Sequence, residues 1–250
     1  MFNLARFSPL VRKGLRFRRT FESAKTKVES ASFDWYPYDS FTNLFCIQRL
    51  LSSANVSLDS IIGTDRIIDL GAGDGALSFY FESLGYKVHA FDNSHTNMNR
   101  MQGIAALAGV LRSRIEITDV NLDKTLQLPG HNGLALFLGT LYHLQNPYGI
   151  LEAVAQSTRF CFLSTRITSL SADHSTRLDS LPVAWLLDAG ECNADVTNYW
   201  IFSYAGLVRL VNRTGWRICS ALQTGSSNSD PISAEADQRA FLLLRSTRFE

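Results

Sequence analysis

Three glycines and four carboxylates carry the first chemical signal in this chain. Gly71, Gly73 and Gly75 lie in the run Arg66-Ile-Ile-Asp-Leu-Gly-Ala-Gly-Asp-Gly-Ala76, directly after a β-branched stretch and ahead of a helical one. Closely spaced glycines let a backbone turn sharply and approach a ligand with no Cβ in the way. A turn of this kind after the first strand of a doubly wound sheet sits at the carboxyl ends of the strands, where ligands bind. Through Ala76 the run also fits a dinucleotide fingerprint, so the glycines alone leave an NAD-linked oxidoreductase open. The acids weigh against it. Asp69 and Asp74 flank the glycines, and two negative charges there repel a pyrophosphate while tolerating a cationic ligand. Asp92 closes the second strand-like run, where a carboxylate accepts ribose hydroxyls. Asp119, with Val120 after it, ends the third and is placed to meet an adenine amino group. Singly, each is an ordinary loop or capping aspartate; their joint placement around one glycine turn is what points to a nucleoside with a cationic tail.

A second group of candidates follows the fourth strand-like run. His143 can accept a proton from a hydroxyl or amine nucleophile, or act as a packing or capping histidine. Tyr142 stands beside it. Trp35, Trp185, Tyr199 and Trp200 can line an acceptor pocket, and the competing reading for each is a core aromatic.

The elements that must position these residues alternate. Strand-like runs at Arg66–Leu70, Lys87–Phe91, Arg114–Thr118, Gly133–Leu138 and Arg159–Ser164 are separated by helical patterns at Ala76–Leu84, Thr96–Ala108 and Pro147–Ser157. Such alternation predicts βαβ units and a parallel sheet. Phe41–Ala54 has helical apolar spacing, and a helix over Tyr204–Arg213 precedes two strands, Trp216–Leu222 and Arg239–Arg245, that can pair antiparallel.

Composition narrows the classes. With 250 residues, 46% hydrophobic and 19% charged, the chain can bury a full core. No apolar run reaches the roughly 18 to 20 residues of a membrane-spanning helix, and no integral membrane segment is expected. The basic start shows no apolar signal-peptide core, although its lack of acids leaves an organelle transit segment open; the reading adopted is cytoplasmic. Cys46, Cys161, Cys192 and Cys219 have neither zinc-site nor disulfide-framework spacing, so no metal is expected. Residues 1–30 hold eight Lys or Arg against two Glu, leaving the remainder slightly acidic. We therefore divide the chain into a basic leader, 1–32, and a single domain, 33–250. The leader is expected to be dispensable for folding, and is either a solvated arm packing Phe17 and Phe21 onto the domain or a contact for phosphates.

The run IIDLGAGDGALSFYFESLGYKVHAFD resembles the cofactor motif of class I S-adenosylmethionine (SAM)-dependent methyltransferases, and the similarity in strand order covers roughly Trp35 to Arg245. The resemblance implies an α/β, doubly wound Rossmann-like sheet of seven strands with an antiparallel last strand. It also implies Asp69, Gly71 and Gly73 near the methionine part of SAM, Asp92 on the ribose and Asp119 with Val120 at the adenine. Gly139-Thr-Leu-Tyr-His-Leu-Gln-Asn-Pro147, Asn198-Tyr-Trp-Ile-Phe-Ser203 and Arg239-Ala-Phe-Leu-Leu-Leu are further similar to motifs of the tRNA wobble-uridine methyltransferases that form carboxymethoxyuridine. That likeness implies Tyr142 and Arg239 on the carboxylate of carboxy-SAM, with Lys13 of Arg12-Lys13-Gly14 as a further candidate. The expected activity is methyl transfer to an oxygen, nitrogen or carbon nucleophile, with a small-molecule acceptor favoured over tRNA. The site set is His143 and Tyr142 for catalysis and Trp35, Tyr199, Trp200 and Arg239 for substrate. A tRNA-modifying transferase using SAM or carboxy-SAM and a noncatalytic SAM-binding module are the alternatives.

Overall fold

The computed structural model describes residues 7–28, 33–94, 100–124, 128–232 and 237–249. Its strands are β1 (Arg66–Leu70), β2 (Val88–Asp92), β3 (Glu116–Asp119), β4 (Asn132–Leu138), β5 (Thr158–Thr168), β6 (Ala184–Leu186), β7 (Trp200–Ser203), β8 (Trp216–Thr224) and β9 (Arg239–Ser246). The helices are α1 (Pro9–Lys25), α2 (Asn43–Ala54), α3 (Leu58–Ile62), α4 (Ala76–Ser83), α5 (Arg100–Leu111), α6 (Pro147–Ser157) and α7 (Tyr204–Arg213). The start of the helix expected over Thr96–Ala108 lies outside the described residues as far as Asn99.

Strands β3, β2, β1, β4 and β5 run parallel in that order, and β9 lies antiparallel between β5 and β8. This is the expected seven-stranded Rossmann-like sheet with an antiparallel final strand. The pair β6 and β7 adds to it: β7 continues parallel to Ile167 and Thr168 at the end of β5, and β6 pairs antiparallel with β7. The polar composition of residues 170–196 gave no sign of β6, whose three residues are half-buried or exposed.

The central strands are mostly buried because both faces of the sheet are covered. Side chains alternate across a strand, and that alternation divides two cores. Ile67, Leu134, Leu136 and Phe162 face α1, α2, α4 and α5. Ile68, Leu70, Ala135, Phe137 and Leu163 face α6 and α7. Ser8 starts α1 by accepting from the Val11 N–H, and Pro9 occupies the first turn, where its missing donor is not needed.

Helix α1 falls within the stretch read as a leader, yet it contributes Val11, Phe21 and Ala24 to the first core. Phe21 meets Phe41 edge-on at 5.7 Å and tilts against Phe79 at 6.3 Å. A Cβ on Gly14 would lie 2.1 Å from Leu44 Cδ1, so glycine is what permits α1 to cross α2 this closely. The Tyr80 hydroxyl donates to the Leu10 carbonyl at 2.5 Å. The basic residues Lys13, Arg16 and Arg19 point outward, since the opposite face is committed to the core. Helix α1 thus packs on the domain through Phe21 and Phe17, as the first of the two readings of this stretch expected. Phe21→Ala is expected to lower unfolding free energy by about 3–5 kcal/mol through the cavity it leaves, measured by urea denaturation; a change below about 1 kcal/mol would return α1 to the status of a dispensable arm.

Candidate functional site

The site forms where β1, β2 and β4 end together. After β1 the chain enters left-handed backbone at Gly71 (φ 79°), Gly73 (φ 58°) and Gly75 (φ 78°), a region costly for other residues. At Gly71 space is also decisive, because a Cβ would sit 2.1 Å from Thr140 Oγ1. Thr140 in turn donates to the Leu70 carbonyl at 3.1 Å, tying the end of β4 to the end of β1. The N–H groups of Gly71 and Ala72 both donate to Phe91 O of β2, at 2.8 and 3.1 Å.

Asp92 is 4% exposed, and its two carboxylate oxygens accept from Gly73 N–H at 2.6 Å and Asn93 N–H at 2.7 Å. Its carbonyl accepts from Val120 N–H at 2.7 Å, and Asp119 accepts from Ser94 N–H at 3.0 Å. Gly71, Gly73, Asp92, Asp119 and Val120 are thus joined in one bonded ridge across three strand ends, and Asp69 lies near the end of β1. Asp69 Oδ2 accepts from the Ser78 hydroxyl at 2.7 Å. Burial pushes the Asp69 carboxyl up to about 7; the Ser78 bond opposes that rise and the nearby Asp92 charge adds to it.

Asp74 behaves differently. Its Oδ2 accepts from Lys25 Nζ of α1 and from Tyr36 N–H, each at 2.8 Å. The lysine of the N-terminal stretch that reaches the glycine loop is therefore Lys25, whereas Lys13 is exposed on the outer face of α1. The Tyr36 ring lies 3.5 Å from where a Gly73 Cβ would be. Trp35 packs edge-on against Phe33, abuts Gly103 of α5 and lies 5.0 Å beneath the Lys25 ammonium.

The turn after β4 places Tyr142 and His143. Tyr142 and Arg239, far apart in sequence, meet at 3.4 Å from Arg239 Nη2 to the phenol oxygen. The Arg239 Nε donates to Asp237 at 2.7 Å, so a carboxylate of the chain already serves this guanidinium. His143 Nδ1 lies 3.2 Å from the Thr197 carbonyl and 2.9 Å from its hydroxyl. A carbonyl only accepts, so Nδ1 carries a proton. Thr197 donates its hydroxyl to Asp195 Oδ1 at 2.6 Å. Sequence reading missed Lys25, Asp195 and Thr197: nothing in local spacing connects Thr197 to His143, and Lys25 lay in a stretch read as solvated.

Tyr199 donates its N–H to the Tyr142 carbonyl at 2.9 Å, and its hydroxyl accepts from Gln145 at 3.0 Å, which keeps it beside the turn. Trp200 packs against the core beneath α6 and α7, and Trp185 against Leu187, Cys192 and Ile201. Among the described residues no group of three His, Cys, Asp or Glu side chains could hold a metal, and no helix is long and apolar enough to cross a membrane.

The elevated Asp69 value has a consequence for stability. A carboxyl at 3.8 when unfolded and about 7 when folded binds more protons in the native state between those values. Stability from this group is therefore full below about pH 4 and declines as pH rises to about 7. Asp69→Asn is expected to remove this decline, so that the variant gains on the unmodified protein between pH 4.5 and 7.5 in urea unfolding; parallel curves would mean that Asp69 is not held this way.

Residues 37–142, less than half of the chain, match the family model described as "Tellurite resistance protein TehB". No curated protein matches the chain. Among solved structures, the N-terminal domain of EvdMO1 with SAH bound aligns over 92% of this chain and 96% of its own, at 15% identity and a TM-score of 0.53. In the structure of EvdMO1 itself only 47% of that chain is covered, so this chain spans about half its length. The glycopeptide N-methyltransferase MtfA complexed with SAM aligns over 86% of this chain and 98% of its own, at 16% identity and a TM-score of 0.53. TehB from Haemophilus influenzae aligns over 75% of this chain and 59% of its own, at 14% identity and a TM-score of 0.53. The chain has the class I methyltransferase fold.

Proposed function

We propose that the protein is a SAM-dependent methyltransferase acting on a hydroxyl or amine of a small molecule. The observation that carries this reading is Asp92: a nearly buried carboxylate at the end of β2, holding Gly73 N–H at 2.6 Å across a glycine turn without side-chain obstruction. That combination suits a ribose diol resting against the glycine ridge. The residues present also suit the rest of the cofactor. Asp119 and Val120 border the adenine side, and Asp69, whose ionisation burial opposes, gains from a nearby cation. Two buried carboxylates, Asp69 in β1 and Asp74 in the turn after it, suit a pyrophosphate poorly, which counts against NAD.

When bound, SAM supplies a methyl group on a positively charged sulfur. The chain's own part is to position, desolvate and deprotonate. His143, its Nδ1 proton directed to Thr197, is the proposed base for the acceptor's proton. Tyr142 and Tyr199 border the same turn and Trp35 the glycine side, and these are the proposed acceptor contacts. MtfA, named as a glycopeptide N-methyltransferase, supports a small-molecule or peptide acceptor over tRNA. The Asp237 partner of Arg239 favours plain SAM over carboxy-SAM, since a second carboxylate would compete for the same guanidinium. Four cysteines in no disulfide suit a reducing compartment such as the cytoplasm.

Calorimetry tests the cofactor directly. SAM is expected to bind and NAD to bind far more weakly, and the opposite order would sink the proposal. Asp92→Ala is expected to stay folded and to lose about 1–3 kcal/mol of SAM affinity with its charge-assisted hydrogen bonds. In competition, plain SAM is expected to outbind carboxy-SAM, and Arg239→Leu to leave plain SAM affinity within about twofold; a clear preference for the carboxylated form would reverse the assignment of Arg239.

A further inference from the structure

At the opposite end of the sheet from the glycine ridge, where β1, β2 and β3 begin, lies a cavity that methyl transfer does not use. Its volume is about 310 Å³, and Arg66, Glu82, Tyr86, Lys87, Arg114 and Glu116 are among its walls. The charges there are unequally committed. Glu82 accepts from the Ser113 hydroxyl and, at 2.5 Å, from the Arg114 N–H. Glu116 Oε2 lies 3.2 Å from both Arg66 Nη1 and His89 Nδ1. The Lys87 ammonium and the Arg114 guanidinium, by contrast, make no hydrogen bond or ion pair with any described residue. Three basic side chains face two acidic ones, so the cavity is net positive, and both cations without a counter-charge belong to it. Tyr86 is fixed in place. Its ring tilts against Phe81 at 6.4 Å and its hydroxyl donates to Asp59 at 2.5 Å. Beside it Gly85 (φ 98°) keeps the wall open, since a Cβ there would meet nothing within 4 Å.

We propose that this cavity binds a nucleotide, its phosphate on Lys87 and Arg114 and its base against the Tyr86 ring. An ammonium and a guanidinium without partners in one cavity suit a phosphate, which takes charge-assisted hydrogen bonds from both. The acids do not oppose it, because Glu82 is capped by donors and Glu116 is held by Arg66. Size decides against phosphate alone. The volume is that of a small-molecule site, with room for an organic group beyond the anion. A ring held rigid by Phe81 and Asp59 offers that group a flat surface, and a planar base uses it better than a sugar does. The site is separate from the reaction centre: at about 3.3 Å per residue, Arg66 and Leu70 at the two ends of β1 are about 13 Å apart. A nucleotide here is therefore an effector and not the methyl acceptor. Helix α4 is the direct link, since it starts beside Gly75 and carries Glu82 to the cavity. The inference does not depend on the proposed use of SAM.

Calorimetry at low salt with guanosine 5′-monophosphate, guanosine and ribose 5-phosphate tests it. The nucleotide is expected to bind, guanosine about tenfold more weakly for want of the phosphate, and ribose 5-phosphate about fivefold more weakly for want of the base. Lys87→Met and Arg114→Met, both at exposed positions that the fold tolerates, are each expected to lose about fivefold in nucleotide affinity, and added salt to weaken binding to the unmodified protein. Tyr86→Leu is expected to lose affinity for the nucleotide and to keep that for ribose 5-phosphate, whose retained binding reports an intact fold. Asp92→Ala separates this cavity from the glycine ridge and is expected to leave nucleotide affinity within about twofold. Absence of nucleotide binding up to millimolar concentration would overturn the proposal, as would equal affinity for ribose 5-phosphate. Loss of binding in Asp92→Ala with no change in Lys87→Met and Arg114→Met would place the nucleotide on the ridge and overturn it equally.

Discussion

The hydrogen bond from Gly73 N–H to Asp92 is the constraint on which the rest of the site depends. It crosses from the turn after β1 to the end of β2, and it requires Gly73 to adopt a left-handed backbone conformation. Once that turn is set, Gly71 and Ala72 both reach the Phe91 carbonyl, and Val120 reaches the Asp92 carbonyl from the end of β3. Three strand ends become one ridge of backbone and carboxylate. A ligand resting on that ridge meets acids whose charges are buried or bonded. Such a surface is suited to a nucleoside with a cationic tail and poorly suited to a phosphate chain.

The sheet makes this ridge rigid by being covered on both faces. Alternating residues of β1, β4 and β5 enter separate cores, so shifting any one strand by a residue would exchange the two faces and break both. Helices α1, α2, α4 and α5 hold one side, and α6 and α7 hold the other. The antiparallel β9 completes the sheet and brings Arg239 to Tyr142 at the turn after β4. The residues around His143 come from the same assembly, because Tyr199 pairs with the Tyr142 backbone as the chain enters β7.

Charge in this molecule is used locally more than globally. The net formal charge is +1, and the basic excess of the first thirty residues reads as either a solvated arm or a contact for phosphates. The structure assigns part of that excess inward. Lys25 neutralises a buried aspartate of the glycine loop, and Arg18 pairs with Asp39. The first of these pairs is nearly dry, where an ion pair is strongly coupled to its surroundings; the second is half-exposed and contributes little.

Local patterning in the sequence determined the order of strands and helices around the ridge, because strand alternation and helical spacing are properties of short segments. It determined the glycine turn and its acids for the same reason: Gly71, Gly73 and Asp69 lie within five residues, and Asp92 and Asp119 each close a strand-like run. Only the tertiary structure decided how those acids are used. Whether a carboxylate is buried or bonded depends on partners far along the chain. Asp74 has its partner 49 residues away in α1, His143 has its own 54 residues away at Thr197, and Arg239 lies 97 residues from Tyr142. Such distances leave no trace in local periodicity, since a lysine inside an amphipathic basic helix reads as solvated until the face it shares with Phe21 is known to be buried. The sequence specified the pieces of the site through local geometry, and the packing of α1 and β9 onto the sheet set their electrostatics.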